Sequence, residues 1–127
     1  MELSPIKPVA NPKPAILEGK IQKKIEHSHN PFHVGDVFHE RYLKIDEQGK
    51  LMILKSVKGG DSKDITIDLK QVTNISAYTK GGKQDPLRFN IDAPDQVFKL
   101  KADTPAECVK WMRALNEWKD YLLMEIH

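Results

Sequence analysis

The sequence predicts a mainly β domain, in which seven short strands are followed by one C-terminal α-helix. Runs in which apolar and polar residues alternate, as in half-buried strands, recur between residues 15 and 102. Turn-forming Gly, Pro, Asn and Asp separate these runs. A helical pattern of apolar residues appears only in the last stretch, residues 103–124. One amphipathic helix after a series of strands must cover a sheet or fill the end of a barrel.

The strands are predicted from alternation, and the connections between them from turn-forming residues. Residues 26–36 contain three histidines, Asn30-Pro31 and Gly35, and must form a loop. Residues 47–50 turn the second strand back into the third as a hairpin. The predicted strands span residues 15–25, 37–46, 51–56, 64–69, 72–78, 87–91 and 97–102.

Capping residues mark the start of the predicted helix. Thr104 is a suitable N-cap, Pro105 fits the first helical position, and Glu107 stands three residues after the cap. The apolar residues that follow share one helix face, which we expect to lie in the core. They are Cys108, Trp111, Met112, Leu115, Trp118 and Leu122.

The composition is that of one domain, and it argues against several classes of function. Residues 1–14 hold four of the eight prolines, so we expect a flexible arm there, a domain over residues 15–124 and a tail at 125–127. A formal net charge of only +2 does not indicate nucleic-acid binding. The single cysteine and the lack of a secretory pattern favour a reducing, cytoplasmic location.

Sequence motifs of catalysis are not found. The chain has no nucleophile elbow, no Gly-rich phosphate loop before a helix and no paired metal-ligand motif. His27, His29 and His33 are close together, but no cysteine or carboxylate pair accompanies them to complete a metal site. We therefore expect a protein that is not an enzyme and that carries no metal or cofactor.

Basic residues at one end of the first strands form the candidate site. Antiparallel pairing of the first two strands brings Lys23 near Arg41, and each lies on the face that carries core residues. A charged side chain on such a face needs an anionic partner or access to water. The alternative is solvated lysines and an internal pair of Arg41 with Glu40 or Asp36. The predicted anion-binding residues are Lys20, Lys23, Lys24, His39, Arg41, Lys55, Lys58 and Lys63.

Four short motifs resemble those of pleckstrin-homology (PH) domains. Residues 17–23 (LEGKIQK) are similar to the opening strand of that family, and residues 38–43 (FHERYL) to its second-strand signature. Residues 67–69 (IDL) match the fourth strand. Residues 98–102 (FKLKA) lead into a helix signature that begins with Trp111. The resemblance implies a seven-stranded barrel of two near-orthogonal antiparallel sheets, with the helix capping one end.

The resemblance also implies a role in binding lipid headgroups. In lipid-binding members, a lysine of the first strand and a basic-x-Arg pair of the second hold phosphoinositides; Lys23 falls on that lysine and Arg41 on that arginine. His39 takes the preceding basic position, and Ile25 stands where strong binders often place another lysine. These two departures favour a smaller headgroup, such as phosphatidic acid or a monophosphorylated inositol lipid.

The first loop is predicted to touch the membrane. Phe32 and Val34 can enter the headgroup boundary, although Phe32 can equally fold back on the barrel. The neighbouring histidines can gain charge in mildly acidic solution. The predicted membrane-contact residues are His27, His29, Phe32, His33 and Val34.

These observations predict a monomeric peripheral protein that binds an anionic phospholipid membrane at its cytosolic face. The alternative is a protein-interaction module of the same fold with little affinity for lipid. Such a module would bind a peptide along a sheet edge or along the helix face.

Overall fold

The computed structural model describes residues 13–25 and 37–124. Within these residues it contains seven strands and one α-helix, which confirms the predicted mainly β fold with a C-terminal helix. The elements are β1 Glu18–Ile25, β2 Val37–Ile45, β3 Lys50–Leu54, β4 Ile65–Asp68, β5 Asn74–Lys80, β6 Lys83–Asp92, β7 Val97–Lys101 and α1 Pro105–Met124; a short 3-10 helix, Leu69–Gln71, links β4 to β5.

All strands belong to one antiparallel sheet, in the order β4-β3-β2-β1-β7-β6-β5. Strand β1 pairs with β2 along its whole length, and it pairs with β7 through Gln22 and Lys23. The two sheets expected from the sequence are therefore joined at β1, which leaves β4 and β5 as the edges. Short connections allow this arrangement because they favour antiparallel neighbours.

Helix α1 begins where the capping residues predict. The backbone N–H of Glu107 donates to Oγ1 of Thr104 at 3.1 Å. The N–H of Cys108 donates to the carbonyl oxygen of Thr104 at 3.0 Å, which is the first helical bond. An N-cap of this kind contributes about 1 kcal/mol to stability. Thr104 therefore fixes the first turn of α1.

The face of α1 that is buried is the predicted one. The helix packs across β5 and β6 and against the 3-10 helix. Trp111 is only 1% exposed. Its ring also reaches β1, because a Cβ added at Gly19 would lie 4.0 Å from Cζ2 of Trp111. The fully buried residues of α1 are Cys108, Trp111, Leu115 and Trp118.

The end of the fourth strand differs from the prediction. Leu69 is fully buried, as expected, but it begins the 3-10 helix and does not belong to β4. The side chain of Asp68 accepts the N–H of Lys70 at 3.0 Å and so caps this helix. Aspartate competes for backbone donors in this way at turns, and the competition ends the strand.

The sixth strand also differs, because β6 starts at Lys83, well before the predicted Leu87, and runs through Pro86. A proline lacks the N–H that a ladder needs, so it is found at strand irregularities. Such an irregularity is present here, since the register between β5 and β6 shifts between Ala77 and Thr79. The bulge allows the strand to continue where the sequence suggested a break.

Candidate anion-binding site

The inward face of β2 changes from apolar to basic along the strand. Leu43 and Ile45 are completely buried. Arg41 and His39 occupy the next positions of the same alternating face, and there Arg41 is half-buried and His39 is exposed. This is the N-terminal end of β2, which begins at Val37.

The neighbouring strands show the same change at the same end of the sheet. In β1, the buried Ile21 is followed two residues later by the half-buried Lys23. In β3, the buried Ile53 is followed two residues later by the exposed Lys55, just beyond the end of the strand. We call this end of the sheet the mouth, and its four basic residues the mouth cations. The mouth cations are Lys23, His39, Arg41 and Lys55.

The strand register places the mouth cations side by side. Lys23 lies directly opposite His39, and Ile21 lies opposite Arg41, so Lys23 and Arg41 are diagonal neighbours. Diagonal neighbours on one sheet face have their Cα atoms about 7–8 Å apart, within reach of long side chains. On the other side of β2, the ladder with β3 ends at Leu54, the residue before Lys55. The structure therefore brings together the cations of three strands.

Arg41 has no carboxylate partner among the described residues. Its Nη1 donates to the backbone carbonyl oxygen of Glu40 at 2.8 Å. The carboxylate of Glu40 lies on the outer face, 3.9 Å from Nζ of Lys20, so the alternative of an Arg41–Glu40 ion pair is not realised. Asp36, the other alternative partner, lies outside the described residues. A guanidinium has five N–H donors and can bind a phosphate bidentately.

Two of the predicted lysines, Lys20 and Lys24, lie on the outer face of β1. Lys24 is opposite Phe38 in the register, and Lys20 contacts Glu40 across the hairpin. Successive residues of a strand point to opposite sides of a sheet. The structure therefore does not bring these two lysines to the mouth.

The outer face also holds cations against aromatic rings. The Cζ atom of Arg88 lies 4.0 Å from the ring centroid of Tyr78 and 4.8 Å from that of Phe38. Nζ of Lys101 lies 5.6 Å from the centroid of Phe38. At exposed sites each such contact contributes about 0.5–1 kcal/mol. Sequence analysis did not predict this cluster, because its members come from β2, β5, β6 and β7.

The β3–β4 loop is closed by the carboxylate of Asp64. Its Oδ1 accepts the N–H of Lys55 at 2.9 Å, and its Oδ2 accepts the N–H of Asp61 at 2.9 Å. The bond from Lys55, supported by those from Asp61 and Gly60, lowers the pKa of Asp64. Hydrogen bonds to the charged form of a carboxyl group have this effect because they stabilise the anion.

Lys58 and Lys63 are exposed within this loop. The loop covers Leu54, an outer-face residue that is only 8% exposed, and a Cβ added at Gly59 would lie 3.6 Å from its Cδ1. None of the contacts among the described residues places Lys58 or Lys63 beside Lys55 at the mouth. Their part in anion binding stays a prediction.

The predicted membrane-contact residues lie outside the described part of the chain; they are His27, His29, Phe32, His33 and Val34. In residues 13–25 and 37–124, no group of three His, Cys, Asp or Glu side chains is arranged to hold a metal ion. Over the same residues, no helix has the length and apolar character that a membrane crossing needs.

The family model of the PH domain matches residues 15–119 of the chain, which include all the described strands and most of α1. The chain belongs to the PH domain family. This confirms the family resemblance that the sequence motifs carry. A narrower resemblance suggested by the sequence, to the acylated PH protein of apicomplexan parasites, is not supported, and none of the curated proteins compared matches the chain.

Solved PH domains share this fold at low sequence identity. The PH domain of human oxysterol binding protein-related protein 11 is 18% identical with a TM-score of 0.69, over 89% of this chain and 87% of that one. The PH domain of human TBC1 domain family member 2 is 19% identical with a TM-score of 0.64, over 94% and 91%. The C-terminal PH domain of pleckstrin in complex with D-myo-Ins(1,2,3,5,6)P5 is 18% identical with a TM-score of 0.59, over 84% and 97%. Identities this low show the common fold alone.

The mouth of this PH domain has the chemistry of a phosphate site. Arg41 offers a planar set of donors, whereas Lys23 and Lys55 act as point charges on flexible stems. His39 lies opposite Lys23 in the strand register. Because these groups come from three adjacent strands, a bound phosphate would be held from several sides.

Proposed function

We propose that this PH domain binds the headgroup of an anionic phospholipid at the mouth cations and so recruits its chain to the cytosolic face of a membrane, without catalysis. The observation that carries this proposal is Arg41, which is half-buried on a core-facing row with no carboxylate partner among the described residues. A charge in that position is unfavourable unless water or an anion reaches it. Lys23 and Lys55 add positive charge beside it.

A headgroup with one phosphomonoester suits this mouth best. Ile25 ends the inward row of β1, where a further lysine would serve a multiply phosphorylated inositol. Phosphatidic acid and a monophosphorylated inositol lipid both suit the three lysine and arginine residues among the mouth cations, which are Lys23, Arg41 and Lys55. Inositol phosphates are known ligands of another domain with this fold, since the C-terminal PH domain of pleckstrin was solved in complex with D-myo-Ins(1,2,3,5,6)P5. The predicted contact of residues 26–36 with the membrane belongs to the same proposal, since Ile25 and Val37, which precede and follow them in the sequence, lie at the mouth end of β1 and β2.

Flotation with phosphatidylcholine vesicles that contain phosphatidic acid tests the mouth directly. Lys23→Ala should weaken binding about fivefold, because one basic residue near an anionic surface contributes about 1 kcal/mol. Arg41→Ala should weaken binding by about tenfold or more, because a charge-assisted hydrogen bond contributes about 1.5–3 kcal/mol. Both variants should melt within a few degrees of the wild type, since neither side chain is part of the core.

Lys20→Ala is the matched control, because it removes the same charge from the same strand on the outer face. It should bind nearly as the wild type does. Equal losses in Lys20→Ala and Lys23→Ala would mean that the domain responds to diffuse charge. Unchanged flotation of folded Lys23→Ala and Arg41→Ala would rule the mouth out and favour the protein-interaction module, for which β4 and β5 offer sheet edges.

The vesicle composition identifies the headgroup class. At equal surface charge, vesicles with phosphatidic acid or phosphatidylinositol monophosphate should bind more tightly than vesicles with phosphatidylserine, because only the first two carry a phosphomonoester. Equal binding to all three would contradict recognition of a phosphomonoester.

A further inference from the structure

We infer that Asp64 is a positioning residue of the mouth, because its carboxylate holds Lys55 in line with the inward face of β3. The inference rests on the proposed function and adds a residue that does not itself touch the headgroup. Lys55 follows the end of β3 directly, and Asp64 directly precedes β4. The bond of 2.9 Å from the Lys55 N–H to Oδ1 of Asp64 therefore joins the two ends of the loop.

This bond extends the ladder between β3 and β4 by means of a side chain. The backbone pairing of the two strands ends at Ile53 and Ile65. Beyond that pair, the Asp64 carboxylate accepts the Lys55 N–H. The chain therefore stays hydrogen-bonded to Asp64, the residue before β4, as far as Lys55. Lys55 continues the inward face of β3 and lies at the level of Arg41 in β2.

The second oxygen of Asp64 fixes the far side of the loop. Oδ2 accepts the N–H of Asp61 at 2.9 Å, and the N–H of Asp64 donates to the carbonyl oxygen of Asp61 at 2.9 Å. Gly59 and Gly60 have φ angles of 70° and 82°, which glycine adopts without strain. Two glycines would leave this loop many conformations, and the carboxylate selects one of them.

Because Asp64 is negatively charged, the direction in which its removal changes anion binding tests the inference. A carboxylate near an anion site repels a phosphate, so on charge alone its removal should strengthen binding. If Asp64 acts by positioning Lys55, its removal should weaken binding instead.

Asp64→Ala and Asp61→Ala form a matched pair of variants. Asp61 lies in the same loop and carries the same charge, but its side chain accepts the N–H of Lys63 at 2.8 Å and not that of Lys55. With phosphatidylcholine vesicles that contain phosphatidic acid, Asp64→Ala should bind about three- to fivefold more weakly than the wild type, which is the contribution of one lysine. Asp61→Ala should bind as the wild type does or slightly more tightly. Hydrogen exchange at the Lys55 amide should accelerate in Asp64→Ala alone.

Lys55→Ala shows whether Asp64 acts through Lys55. In that background, Asp64→Ala should cause no further loss of binding, because the side chain that it positions is already gone. A thermal melt confirms that each variant is folded. If Asp64→Ala is unfolded, Asp64→Glu replaces it, because it keeps the charge and moves the carboxylate by one methylene, so weaker binding would come from lost positioning and binding equal to that of the wild type would contradict the inference.

The outcomes separate this inference from the proposed function. If Arg41→Ala loses binding while Asp64→Ala binds as well as the wild type or better, the proposed function stands and the positioning role is wrong. Equal losses in Asp64→Ala and Asp61→Ala, or an additive loss in the double variant with Lys55→Ala, also overturn the positioning role. If Arg41→Ala binds as the wild type does, the proposed function fails and the inference fails with it.

Discussion

The helix end of the sheet and the mouth differ in the side chains that the same strands carry on their inward faces. At the helix end, the ring of Trp111 lies over Gly19 of β1, and Gly19 pairs with the completely buried Leu43 of β2. At the mouth, the inward face of β1 carries Lys23 and that of β2 carries Arg41. Apolar side chains stabilise a fold when water is excluded, whereas a charge needs water or a counter-charge.

On the proposed function, stability and binding are separated along each strand. A change at the helix end should alter the free energy of unfolding and leave the affinity of the folded molecules for anions unchanged. A change at the mouth should do the reverse. Three predictions test this separation in order of decreasing effect, and a fourth concerns the stability that the loop carboxylate of Asp64 contributes.

Trp111→Ala should reduce the free energy of unfolding by about 3–5 kcal/mol, because it removes a large buried side chain and leaves a cavity. That is a large share of the total stability of a small domain. Urea unfolding measures the effect, and Val109→Ala, at a position of α1 that is 49% exposed, is the control. A loss below about 1 kcal/mol, typical of surface positions, would contradict the packing at the helix end.

Gly49→Ala should destabilise the fold by about 2–3 kcal/mol, since it combines backbone strain with a steric clash. Gly49 has a φ angle of 81°, and an added Cβ would lie 2.5 Å from Cδ1 of Leu122 in α1. Gly81→Ala is the matched control, because Gly81 also has a positive φ of 62° but no atom within 4 Å of the added Cβ. The excess loss in Gly49→Ala measures how tightly the β2–β3 turn packs against α1, and equal losses would show that it does not.

Arg41→Met should abolish most anion binding while the free energy of unfolding stays within about 0.5 kcal/mol or rises. The change extends the apolar row of β2 into the mouth and removes a half-buried charge. Flotation and urea unfolding on the same preparation give both quantities. A large loss of stability would mean that Arg41 belongs to the scaffold, and the separation between the two ends would then be wrong.

Acid should remove the stability that Asp64 contributes. Its pKa in the folded state lies below the ordinary value of 3.8, chiefly because the Lys55 N–H donates to it. The contribution is therefore complete above the pKa of the unfolded chain and is lost as the pH falls through the lower, folded value. The difference in unfolding free energy between the wild type and Asp64→Asn should be constant near neutral pH and shrink below pH 3.8. A difference that does not change with pH would show that the carboxylate charge contributes no stability.

Local patterns in the sequence predicted the scaffold well. The helix start at Thr104 and the buried face with Trp111 follow from residues close together in the chain, so capping and periodicity reveal them. The closeness of Lys23 and Arg41 follows from a single antiparallel pairing. Alternation within β1 also indicates that Lys20 points away from Lys23. Alternation therefore predicts which lysines reach the mouth better than closeness in sequence does.

Features that depend on contacts between strands far apart in the chain could not be predicted from the sequence. The contacts of Arg88 with Phe38 and Tyr78 need three strands to be placed in one sheet. The hydrogen bonds of the Asp64 carboxylate depend on which backbone groups it meets, and a loop sequence does not reveal that. The β5–β6 bulge that accommodates Pro86 is likewise a property of the paired strands.

The pairing of β1 with β7 has a consequence for how the protein folds. Gln22 pairs with Lys101, and Lys23 pairs with Leu100, so the central strand meets a partner that is synthesised near the end of the domain. Contacts between residues so far apart close a long loop of chain and slow the folding reaction. On the ribosome, β1 and β2 can form their hairpin early, but the second edge of β1 stays open until β7 emerges. During that interval the strand that carries Lys23 is exposed to pairing with other chains, as unprotected sheet edges are.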